Sequence, residues 1–191
     1  MSSAQQIALE KLAQQIASCR ACPLCEAATQ AVPGEGNPNA DVLCIGEGPG
    51  KDEDIQGRPF VGRAGKLLTE MIESIGWHRE DVFIANVVKH RPPNNRDPEP
   101  AEVEACWGFL TKQIEIIQPR LIVTLGRHSM NRFFPDLKIG EAHGQLMQDE
   151  TGQAFLPLYH PAAALYSPSQ KELHVTDFAK IPAILKKLPQ T

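Results

Sequence analysis

The stretch Asp41-Val-Leu-Cys-Ile-Gly46-Glu47-Gly48-Pro49-Gly50 decides the architecture. Its apolar run is too short for a helix and ends in glycine and proline, the pattern of a buried strand entering a sharp turn. Val82 to Val88, Leu121 to Leu125 and Phe155 to Tyr159 repeat the pattern downstream. Helical spacings lie between and around these runs. Leu9, Leu12 and Ile16 mark a helix over 4–17, and Leu67, Leu68, Met71, Ile72 and Ile75 mark a second that stops at Gly76. Val103, Trp107, Leu110, Ile114 and Ile117 mark a third, Arg127 to Phe134 a short fourth, and Glu172 to Leu188 a last one with a break at Pro182. Strands alternating with helices predict a parallel sheet covered on both faces. Ligands in such sheets bind beyond the carboxyl ends of the strands. Glu47, Asn86 and His160 are therefore predicted to meet in one crevice.

The chain has 191 residues, enough for one domain (1–191) with a sizeable core. No apolar run approaches the ~20 residues that span a bilayer, and no secretory signal is evident, so no membrane partner and a cytoplasmic location are expected. There the five cysteines read as thiols or metal ligands rather than disulfides. The net charge of -4 argues against whole-surface attraction to nucleic acid but leaves room for a local basic face. Arg58, Arg63 and Lys66 form one basic cluster and Lys89, Arg91 and Arg96 another; each alone reads as a solvated face. A monomer is expected.

The glycines of Gly46-Glu47-Gly48-Pro49-Gly50 allow close approach of a ligand, but the turn lacks the lysine and spacing of a P-loop. Glu47 within it would repel phosphate. Gly57-Arg-Pro-Phe60-Val-Gly62-Arg-Ala-Gly65 is a second glycine-rich loop, whose Phe60 either stacks on a planar ligand or joins the core. Asn86, in an apolar strand, either satisfies backbone or offers its amide to a base edge. Cys19-Arg-Ala-Cys22 fits zinc, redox or iron–sulfur chemistry, and with His90 and Cys106 it makes one candidate metal set. Cys25 adds a further ferredoxin-like spacing. Cys44, inside the first strand, reads as a buried small apolar residue.

Gly46-Glu-Gly-Pro-Gly50, Gly57-Arg-Pro-Phe-Val-Gly-Arg-Ala-Gly65, Asn86-Val-Val-Lys-His-Arg-Pro-Pro-Asn-Asn-Arg96 and His160-Pro-Ala162 occur in this order over nearly the whole chain. Together they resemble the family 4 uracil-DNA glycosylases, the iron–sulfur branch of that superfamily. The resemblance implies a three-layer α/β/α fold around a central four-stranded parallel sheet. It implies hydrolysis of the bond between uracil and deoxyribose in single- or double-stranded DNA, leaving an abasic site for base excision repair, without lyase chemistry. Glu47 and His160 would be catalytic, and Gly48, Phe60, Asn86 and His160 would bind the base. Leu165 or Tyr166 would fill the gap left in the stack. A 4Fe-4S cluster would be held by Cys19, Cys22, His90 and Cys106.

The family carries cysteine where His90 stands, so three readings stay open: His90 ligates iron, Cys25 replaces it, or the cluster is labile or absent. The family also tends to carry arginine where Ala28 stands. A uracil-DNA-trapping branch with a nucleophilic histidine resembles the chain at Lys89-His90, but its basic insert is missing here. A non-catalytic binding protein on the same fold and a glycosylase for another deaminated base, such as hypoxanthine, are the remaining alternatives.

Overall fold

The computed structural model describes residues 3–189. In chain order its helices are α1 (Ala4–Ala17), α2 (Leu24–Ala27), α3 (Lys51–Gln56), α4 (Arg63–Ser74), α5 (Pro100–Ile117), α6 (Arg127–Asn131), α7 (Ile139–Ala142), α8 (Pro161–Ala164), α9 (Pro168–Phe178) and α10 (Ile181–Leu185). The strands are β1 (Glu35–Gly36), β2 (Val42–Gly46), β3 (Phe83–Asn86), β4 (Leu121–Leu125), β5 (Met147–Gln148) and β6 (Ala154–Leu158).

The sheet order is β1-β3-β2-β4-β6-β5. Its four inner strands run parallel, as expected. Six strands rather than four are present because two-residue β1 and β5 add antiparallel edges. Segments that short carry no readable hydrophobic alternation, so their pairing is set by the neighbouring strand.

Every residue of the inner strands is buried, which is why these strands read as continuous apolar runs. Alternate residues feed opposite faces. Val42 and Cys44 join Leu68, Met71, Ile72, Phe178 and Ile181, placing α4, α9 and α10 on one side. Leu43 and Ile45 join Leu24, Leu110 and Ile117, placing α2 and α5 on the other. Helix α1 packs on α5 through a small cluster around Leu12 and Ile16. No helix among the described residues is long and apolar enough to cross a membrane.

Several boundaries differ from the sequence pattern. Strand β3 ends at Asn86 rather than Val88, although the Val87 and Val88 N–H groups still donate to Gly46 and Glu47 carbonyls at 3.0 Å each. Helix α3 was hidden because Lys51-Asp-Glu-Asp-Ile-Gln56 has no apolar period. The break in the C-terminal helical region falls at Ala179–Lys180, with Pro182 in the first turn of α10. Proline is at home there because a first-turn N–H needs no helical acceptor.

Candidate active site

The parallel register pairs Gly46 with Asn86 at the carboxyl ends of β2 and β3. His160 stands just beyond the same end of β6 and caps α8. Glu47, Gly48, Phe60, Asn86 and His160 all line one cleft of about 380 Å³. The five residues singled out from the sequence thus converge, as the strand-end rule requires.

Gly46 forms the floor between two of them. A Cβ there would lie 2.4 Å from Asn86 Oδ1 and 2.6 Å from the Phe60 ring. Only a residue without a side chain lets amide and ring approach this closely. Asn86 is 1 % exposed, and its Oδ1 has no hydrogen-bond partner among the described residues. A buried acceptor without a donor is costly. Backbone therefore does not satisfy this oxygen, whereas a ligand N–H entering the cleft would.

Phe60 is buried in the left-handed backbone region, at φ 50°. Such a conformation costs a non-glycine residue about 1–3 kcal/mol and persists only where the surroundings impose it. Here Arg79 donates to the Phe60 carbonyl at 3.0 Å and also to the Pro59 carbonyl, while Glu35 at 2.9 Å and Thr69 Oγ1 at 3.3 Å hold the guanidinium in place. Gly65 closes the loop, since a Cβ there would overlap the Phe60 carbonyl. The ring ends up 5.7 Å from the His160 imidazole, tilted by 31°.

Glu53, which sequence reading missed, ties the two glycine loops together. Its carboxylate accepts the N–H groups of Gly50, Val61 and Gly62 at 3.1, 2.8 and 2.8 Å. The available signal was an acidic residue three positions after Gly50, the capping spacing.

His160 Nδ1 accepts the Ala162 N–H at 3.2 Å. The neutral ring must then carry its proton on Nε2, leaving a donor for a ligand. Desolvation, reinforced by the His174 and His128 imidazoles, pushes His160 down to about 4. The donor is consequently a neutral imidazole at physiological pH. Burial raises the Glu47 carboxyl above its ordinary value; nearby His128 and Arg127 counter this and Asp97 adds to it.

Beside the cleft, Leu165 packs against the core, while Tyr166 is 78 % exposed. Arg63 lies over the Tyr166 ring at 5.2 Å and donates to its hydroxyl at 3.0 Å. Of the two wedge candidates, Tyr166 is the one presented to solvent. The basic clusters divide on inspection. Arg58 pairs with Glu35 at 2.6 Å and Arg96 with Glu102 at 2.7 Å.

Lys89 is not part of a solvated face. It is 1 % exposed, and its Nζ donates to the Asn86 carbonyl at 2.7 Å and to Gln113 Oε1 at 2.6 Å. Its backbone N–H points to Cys106 Sγ at 3.3 Å. Lys89 therefore links the carboxyl end of β3 to the cysteine region.

Cys106 is buried on α5, and its thiol is raised by burial, with Cys22 and Cys19 close enough to add to the effect. His90 is 5 % exposed and held below its ordinary value by burial and Arg20. Cys25 sits in α2 and is felt by Cys22, while Cys44 is fully buried and pushed up to about 12, the inert core thiol expected. Among the described residues, the only trio of His, Cys, Asp or Glu ligand atoms within 4.8 Å of one another is Glu47, Asp97 and His128. Cys19, Cys22, His90 and Cys106 do not form such a set among the described residues. Three thiols and an imidazole are, by their chemistry, a donor set that an iron–sulfur cluster can take.

Two outcomes follow from this geometry. Gly46→Ala should displace Asn86 and Phe60 and lower the activity of the cleft at least tenfold, read in single-turnover assays, while thermal unfolding still shows a folded protein. His160 titrates lower when folded than when unfolded, so the unfolded chain takes up its proton first. Its contribution to stability is full above about 6.5 and is lost as pH falls toward about 4. Melting temperatures across that window should decline less steeply in His160→Asn.

The uracil DNA glycosylase superfamily model matches residues 33–186. A type-4 uracil-DNA glycosylase of Sulfurisphaera tokodaii is 49% identical, over 91% of this chain and 83% of the relative. Those of Archaeoglobus fulgidus and Thermotoga maritima are 47% and 43% identical, covering 96% and 94% of this chain and 96% and 95% of their own. With the crevice, the unpartnered amide and these matches together, the chain belongs to the uracil-DNA glycosylase superfamily, alongside its type-4 members.

Proposed function

We propose that the protein is a monofunctional uracil-DNA glycosylase, which takes a uracil nucleotide out of DNA and hydrolyses its N-glycosidic bond. The unpartnered Oδ1 of Asn86, 1 % exposed at the floor of the cleft, carries this reading. Uracil N3–H supplies the donor that this oxygen lacks, and the Asn86 NH₂ donates to uracil O4. Cytosine offers an acceptor at N3 and an amino group at C4, so the same amide would face two mismatches, a costly buried error.

The base must leave the duplex to reach this pocket. Phe60 stacks on the extruded ring, and Tyr166 occupies the space it vacates. His160 Nε2–H donates to O2, where negative charge gathers as the glycosidic bond breaks. A neutral imidazole serves better than a cation because its proton stays shared rather than transferred early. Preorganised donors in a dry site supply a large share of rate enhancement. The Gly48 N–H adds a donor at the mouth. Glu47 orients a water toward C1′, takes its proton as the C–O bond forms, and offers negative charge to the oxocarbenium-like sugar. The products are free uracil and an abasic site, the substrate of later repair steps.

Cys19, Cys22, His90 and Cys106 would hold a 4Fe-4S cluster. When bound, it would supply a rigid tie between the segment after α1, the loop after β3 and α5. The buried Lys89 lies between this tie and Asn86, so ordering of that loop reaches the base-reading amide through one side chain.

The function is tested with a labelled oligonucleotide carrying one uracil, followed by alkali. Strand scission is expected, with a cytosine-containing control left intact. Glu47→Ala and Asn86→Leu should each lower the single-turnover rate by about 10²–10³. Tight binding with no scission at high protein would overturn the reading. Anaerobically prepared protein should contain about four irons and four sulfides per chain. His90→Ala should lose iron while Cys25→Ser keeps it; the reverse pattern would transfer the ligand role to Cys25.

A further inference from the structure

His128, at the start of α6, has no role in the chemistry described so far. Its Nε2 lies 3.8 Å from Glu47 Oε2. The same nitrogen lies 3.2 Å from Asp97 Oδ2 and 2.9 Å from Arg127 Nε. Glu47 and His128 also line a second hollow, formed with Pro98 and Asn131, which shares Glu47 with the cleft. The His128 side chain is 36% exposed, against 26% for Glu47.

This arrangement has an unusual property. A neutral Nε2 is an acceptor, and the Arg127 N–H supplies its donor. A protonated Nε2 is a donor, and Asp97 supplies its acceptor at 3.2 Å. Each protonation state of one nitrogen thus has a ready partner without movement of the backbone. A group stabilised in both states, set between a general base and solvent, suits proton transfer.

We propose that His128, braced by Asp97 and Arg127, is a positioning residue that aims the Glu47 carboxylate and carries its proton to solvent. The inference rests on the assignment of Glu47 as the residue that orients and deprotonates water. The attacking water forms its bond to C1′ and gives a proton to Glu47. The C1′–N1 electron pair leaves with uracil, held at O2 by His160 and protonated at N1 from solvent. The proton on Glu47 passes to the neutral His128 Nε2 once a side-chain rotation closes the 3.8 Å between them, and then to bulk water, restoring the carboxylate. Glu47 is faced by His128 and Arg127 on α6 and by Asp97 before α5; His160 approaches His128 from the α8 side. His128 and Arg127 favour the ionised carboxylate, opposing burial and Asp97.

The test measures single-turnover rates on the uracil oligonucleotide from about pH 5 to 9, with binding of a non-hydrolysable 2′-fluoro-uridine oligonucleotide followed by anisotropy. Removing the imidazole, which favours the ionised carboxylate, leaves Glu47 harder to ionise. In His128→Asn the acid limb should therefore move to higher pH, with the rate at pH 6 down about tenfold and binding within twofold. Asp97→Asn should leave the limb at or below its wild-type position, because it removes a negative charge facing Glu47. Added imidazole should restore rate to His128→Gly, a rescue that a purely structural residue would not show. An unmoved acid limb with no imidazole rescue would overturn the proposal, as would a uniform rate loss that tracks weakened binding. Glu47→Gln separates the two levels: a strong loss there with a wild-type profile in His128→Asn sinks this inference alone, and a wild-type rate in Glu47→Gln sinks the assignment beneath it.

Discussion

The contact between Gly46 and its strand partner Asn86 is the constraint on which the rest of the site depends. Parallel register brings the two residues side by side where β2 and β3 end. With no side chain at Gly46, the Asn86 amide and the Phe60 ring share a space that one methyl group would fill. Both neighbours then need external support. Arg79, Glu35 and Gly65 hold Phe60 in its left-handed conformation, and Lys89 grips the Asn86 carbonyl from beneath. The result is an amide whose oxygen has no internal partner. Folding free energy has been spent to leave an acceptor open, a usual sign of a binding site rather than a structural one.

Much of this was legible in the chain. The inner strands are buried on both faces, so they appear as continuous apolar runs, and the helices between them carry clear periods. The strand-end rule then gathers Glu47, Asn86 and His160 without any coordinates. What escaped was set by tertiary contact. Edge strands β1 and β5 are two residues each, and α3 is polar throughout. Glu53 looked like one more surface acid, yet three backbone N–H groups converge on it. Lys89 looked like part of a basic face because lysine is rarely buried; its two acceptors, Gln113 and the Asn86 carbonyl, are 24 and 3 residues away. His128 was silent for the same reason: its neighbours Glu47 and Asp97 come from distant segments.

The cysteine region and the cleft are built from different segments of the chain. Lys89 joins them. Its N–H meets Cys106 Sγ, its Nζ meets Asn86, and His90 is the next residue. An imidazole in place of a thiolate at position 90 carries one less negative charge and a longer reach. On the proposed reading, such a change would be felt first at Lys89 and next at the Asn86 amide.

The central claim is that the open oxygen of Asn86 is filled by uracil N3–H. Titrating free uracil into isotopically labelled protein and following the asparagine side-chain amide signals tests this most directly, with the Asn86 signal assigned by its absence in Asn86→Leu. The account predicts a saturable shift of that signal with uracil and little change with cytosine. A protein that excises uracil while the Asn86 signal stays still, or moves equally with both bases, would contradict it.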